Sequence, residues 1–129
     1  MDVAQALADL TEISSQIEAA VLFGADGAVE GSTLADEATA RNLANAAAKL
    51  LAQADGLRGD EAEVTQIEAA TSDGAVFVVR DGERRIAATT VPNPTAGLVF
   101  YDLKSCLREA DPGEKPKRRR ATAKDDGEA

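Results

Sequence analysis

Asp36 to Ala54 reads DEATARNLANAAAKLLAQA, and the rest of the chain is arranged around this stretch. Nine alanines lie between Ala35 and Ala54, and the only larger apolar residues are Leu43, Leu50 and Leu51. Alanine has the highest helix propensity and the least side-chain area to bury. Asp36 suits the N-cap, Glu37 suits the positive end of the helix, and Gly56 is placed to stop it. A helix of this composition gains by letting other backbone come close. The partner would be its own sheet, a second copy of the chain, or another protein. Glu37, Arg41, Asn45 and Lys49 recur at four-residue spacing and form one polar stripe. A solvated face with Glu-to-Arg support explains that stripe, and so does contact with a partner.

Upstream, residues 2–18 place Val3, Leu7, Leu10, Ile13 and Ile17 at helical spacing, which predicts an amphipathic helix capped by Asp2. AAVLF at 19–23, the Asp26-Gly27 turn signal and a weaker stretch at 28–33 predict a hairpin. Gly31 and Ser32 mark a bulge in its edge strand. The glycines of GADGAVEG do not form a phosphate loop, because the motif has no lysine and no helix starts directly after it.

Downstream, 55–63 is a polar loop. Its Asp55, Asp60, Glu61 and Glu63 lack the spacing of a calcium loop, and Arg58-Gly59-Asp60 matches an integrin tripeptide by coincidence. Val64–Thr71 alternates, with Thr65, Ile67 and Ala69 on one face and Gln66 and Glu68 on the other, as in a half-exposed strand. AVFVV at 75–79 is apolar on both faces and reads as a central strand. RIAATTV at 85–91 completes a three-strand meander through the Asp81-Gly82 turn. Pro92 and Pro94 end the sheet. Thr95 then caps a last helix reaching about Ala110, with Val99, Leu103, Cys106 and Ala110 as its apolar stripe. On that helix Asp102 and Glu109 are expected in solvent, and Cys106 as a small buried core residue.

Tight turns join most of the strands, so the fold class is α+β with a largely antiparallel sheet. Residues 1–111 are expected to form one domain. Residues 112–129, with the run Lys115-Pro116-Lys117-Arg118-Arg119-Arg120 and almost nothing to bury, are expected to be a disordered charged tail. The tail has three readings: a solubilising end, an electrostatic contact through Lys117, Arg118, Arg119 and Arg120, or a basophilic kinase target at Thr122.

The chain has 129 residues and a net charge of −9, with no histidine and one cysteine. Up to Ala110 there are 8 basic and 18 acidic residues, a charge of −10, so the body is a poor binder of nucleic acid. Without histidine there is no Ser-His-Asp or Cys-His arrangement, and with one cysteine no paired-Cys metal or redox motif. The expectation is a non-enzymatic chain that uses no cofactor and no metal. Residues 2–20 are acidic and amphipathic with no basic n-region, and no apolar run approaches a membrane span. A cytoplasmic location is therefore expected.

The order helix, two strands, helix, three strands, helix resembles the roadblock / dynein light chain family over residues 3–110. The residues that bear the likeness are AAVLFGADGAVEGST, the Ala/Leu helix, and FVVRDGERRIAATTVPNPTAGLVFYDLKSCLRE. The resemblance implies a five-stranded antiparallel sheet in the order 2-1-5-4-3, with the middle helix on one face and the terminal helices on the other. It implies homodimers or heterodimers in which third strands pair and middle helices lie side by side. Here those contacts would involve Ala44, Ala47, Ala48, Thr65 and Ile67. For prokaryotic members it implies a regulator or platform for a Ras-like small GTPase that docks near the middle-helix face. On this chain that face is the stripe Glu37, Arg41, Asn45 and Lys49. The alternatives are a scaffold subunit without a GTPase, and a nucleic-acid-associated protein acting through the basic tail.

Overall fold

The computed structural model describes residues 2–57 and 63–110, and in it three helices flank one sheet. The elements run α1 (Val3–Ile13), β1 (Ile17–Gly24), β2 (Val29–Ser32), α2 (Glu37–Asp55), β3 (Gln66–Thr71), β4 (Gly74–Asp81), β5 (Arg84–Thr90) and α3 (Ala96–Glu109). All neighbouring strands pair antiparallel, in the order β2-β1-β5-β4-β3. The element order and strand order are those the sequence led us to expect.

The local chemistry explains the boundaries. The Asp2 carboxylate accepts from the Gln5 N–H at 2.8 Å and starts α1. The helix stops at Ile13, five residues short of the expected end, because Ser14 takes an extended conformation and Ile17 enters the ladder opposite Thr90. Serine competes for backbone hydrogen bonds and holds a helix poorly. The β1–β2 hairpin closes where Gly27 adopts φ +86°, and the register shifts between Leu22 and Phe23, so the bulge falls at Glu30, just before the Gly31 and Ser32 at which it was expected. At Gly74 a Cβ would lie 2.3 Å from the Thr90 carbonyl oxygen, so only glycine lets β4 start beside β5.

The middle position of the sheet goes to β5, with β4 beside it and also paired on both sides. Two cores result. On one face α1 and α3 pack together over Ala20, Leu22, Phe77, Val79 and Ile86. Phe77 meets Phe100 of α3 edge to face, with ring centroids 4.9 Å apart. On the other face α2 lies over β1, β2 and β5 and covers Val21, Phe23, Val78 and Ala87.

Asp102 corrects one expectation: it is buried, at 8 % exposure, on the side of α3 that faces α1. The basic tail, with Lys117, Arg118, Arg119 and Arg120, and the Arg58-Gly59-Asp60 tripeptide lie outside the described residues. No helix among the described residues is long and apolar enough to cross a membrane.

Candidate docking surface

The outer face of α2 follows from its inner one. Ala40, Ala44, Ala47 and Leu51 repeat at spacings of three and four, and all four are buried against the sheet. Glu37, Arg41, Asn45 and Lys49 consequently all face solvent. Asp36 fixes the start of the helix: one carboxylate oxygen accepts from the Ala38 N–H at 3.2 Å and the other from the Thr39 hydroxyl at 2.7 Å. The Thr39 hydroxyl, with the Ala38 N–H, holds the Asp36 carboxyl below its usual range.

Of the five residues expected at a self-association surface, Ala44 and Ala47 have no exposed area in the single chain. Their methyl groups face the chain's own sheet, so the small side chains first serve to seat α2 close on β1 and β5. Among the three ways such a helix gains from close backbone approach, packing on its own sheet accounts for these two positions. Ala48 and Ile67 are half-buried at the margin of the same core, beside Leu43 and Val76, and Thr65 is exposed. This margin borders β3, an edge strand whose outer backbone row pairs with no other strand among the described residues.

Beside the stripe runs a groove of about 660 Å³ between β2 and the first half of α2. Val29, Leu34 and Ala40 form apolar walls, and Glu30, Glu37 and Arg41 supply the charges. Three stripe residues, Glu37, Arg41 and Asn45, line it, whereas Lys49 stands further along the helix and does not. Thus the polar helix face lies beside the concave surface at the β2 side of the sheet, while the β3 edge lies at the opposite side.

Two features of the surrounding frame escaped sequence reasoning. Arg80 is buried at the end of β4 and donates to the Asp55 carboxylate at 2.6 Å and to the Val64 carbonyl at 2.9 Å. The same Asp55 oxygen accepts from the Val64 N–H at 2.9 Å. Arg80, and after it the Val64 N–H, holds the Asp55 carboxyl below its usual range. This knot ties the C-terminal end of α2 to the approach to β3. The sequence held one signal for it: an arginine continuing an apolar interior strand needs a buried partner. The second feature is Arg84, whose guanidinium bonds the Ala110 carbonyl and reaches the Glu30 carboxylate at 3.2 Å.

Burial, reinforced by Glu109, pushes the Cys106 thiol up to about 11, so it stays protonated and unreactive at neutral pH. Among the described residues, no group of three or more His, Cys, Asp or Glu side chains converges as a metal site would require.

The sequence matches no family model and no curated protein. Solved structures are similar in fold. A Roadblock/LC7 domain from Streptomyces avermitilis superimposes with a TM-score of 0.74 at 21% identity, over 84% of this chain and 93% of that one. Myxococcus xanthus MglB gives 0.69 at 17% identity, over 83% of each chain. A LokiProfilin2 in complex with rabbit actin gives 0.59 at 14% identity, over 83% of this chain and 93% of that one. The chain therefore has the roadblock fold.

Proposed function

We propose that this chain is a non-enzymatic, homodimeric regulator or docking platform for a Ras-like small GTPase. The partner docks on the outer face of α2, through Glu37, Arg41, Asn45 and Lys49. One observation supports this above the others: the stripe is exposed and three of its four residues, Glu37, Arg41 and Asn45, line a groove, on the fold that MglB also has. Folds do not fix function, so the weight rests on that surface. Its action is differential binding of one nucleotide state of the partner, which shifts that partner's equilibrium. The dimer forms through the half-covered margin around Ala48 and Ile67 and through the open edge of β3. Mixing the pure protein with candidate GTPases in each nucleotide state, and following complex formation and hydrolysis, tests this reading. Binding in neither state overturns it for that GTPase.

A scaffold role without a GTPase is the second reading. It draws on the similarity in fold to a LokiProfilin2 whose structure is of a complex with rabbit actin. Recovery of complexes that contain no GTPase from the native cell supports the scaffold over the regulator.

A further inference from the structure

We propose that the basic run Lys115–Arg120 folds back onto its own chain. It would lie in the groove between β2 and the first half of α2, against Glu30 and Glu37.

The exit point of the chain carries the first argument. Ala110, the last described residue, is buried, and its carbonyl accepts from Arg84. The same guanidinium bonds Glu30, which lines the groove. One side chain therefore ties the start of the tail to the acidic rim. Reach follows from chain geometry. Lys115 is five residues past Ala110, and an extended chain spans at most about 3.6 Å per residue, so the run begins within about 18 Å of Ala110.

Charge and shape agree. The body through Ala110 carries −10, and Lys115, Lys117, Arg118, Arg119 and Arg120 bring +5 within six residues. Glu37 is exposed and takes part in no ion pair among the described residues. Val29, Leu34 and Ala40 offer apolar walls for the stems of Lys and Arg, which lie along such surface and keep their charged heads in water. The small residues Ser32 and Ala35 leave room for them. Arg41 repels cations deeper in the groove, which places the run at the β2 end. There β2, an edge strand, offers a backbone row that no other strand among the described residues covers.

Because Glu37 and Arg41 belong to both surfaces, the docked tail would compete with the partner. That consequence rests on the reading under the preceding heading; the contact itself does not. It is tested without any partner. A nitroxide is attached at Ala121→Cys in a full-length Cys106→Ser background, and amide signals are followed by NMR. At about 0.1 M salt the Glu30, Gly31 and Glu37 amides should lose half or more of their intensity, while those of Glu68 and Asp73 do not. At about 1 M salt, where the Debye length falls to about 3 Å, the signals should recover. Replacing Lys115, Lys117, Arg118, Arg119 and Arg120 by Gln should abolish the loss. No loss at the groove, equal loss at Asp73, or persistence after the replacements overturns the proposal. So does a loss that appears only between labelled and unlabelled chains in a mixture, since that contact is between molecules.

Discussion

Burial of the Asp102 carboxyl between α1 and α3 raises its pKa, because desolvation penalises the charged form. The folded chain then keeps a proton that the unfolded chain releases. Stability falls as pH rises through the window between the ordinary carboxylate value and the raised one. Asp9 and Glu109 line the same space and add negative charge. Asp102→Asn should therefore raise the melting temperature at pH 7, with the gain shrinking as pH falls through the raised value and vanishing near the ordinary carboxylate value of about 4. Thermal melts across pH test this, and a lower melting temperature for the variant at pH 7 contradicts it. Arg80 is the opposite case, a buried charge with its partners in place. Arg80→Met removes the bonds to Asp55 and Val64 and should cost about 2–3 kcal/mol in urea unfolding. Asp55, whose pKa is depressed, contributes above the unfolded value and loses that contribution as pH falls through the folded one. The gap between Asp55→Asn and the unaltered chain should accordingly close in acid.

Helix α2 sets the second scale, since its two faces do different work. Ala44 and Ala47 are sealed against the sheet, so Ala44→Leu or Ala47→Leu forces α2 off β1 and β5 and should cost about 1–3 kcal/mol. Arg41→Glu or Lys49→Glu changes only exposed groups and should leave the urea midpoint within about 0.5 kcal/mol of the unaltered chain. The contrast between these pairs shows why the fold was legible and the site only partly so. Periodicity and turn glycines report on contacts within a few residues: Asp26-Gly27, Asp81-Gly82 and the helix stripe at Val99, Leu103, Cys106 and Ala110 were all readable for that reason. Alanine spacing says that backbone comes close, yet not which backbone, so the packing of Ala44 and Ala47 on the chain's own sheet is not encoded in that spacing. Asp102 and the Asp55–Arg80 pair depend on elements brought together from far along the chain, and no local pattern encodes that meeting. Ile17 was misplaced because an apolar residue at helical spacing from Ile13 also fits the first position of a strand.

At the scale of the whole molecule, an open β3 edge and a half-covered apolar margin beside it predict self-association. Light scattering during gel filtration should give twice the 13.4 kDa chain mass, and Ile67→Lys should shift it to the chain mass. A single-chain mass for the unaltered protein at every concentration contradicts the dimer. The central claim, docking of a Ras-like GTPase on the outer face of α2, is tested most directly by titrating the protein with candidate GTPases. Each is loaded in turn with GDP and with a non-hydrolysable GTP analogue, in calorimetry with the unaltered chain and with Arg41→Glu. The account predicts binding in one nucleotide state, weakened about tenfold or more by the substitution, a loss near 1.4 kcal/mol. Equal affinity of the two chains, or binding in neither state, would contradict it.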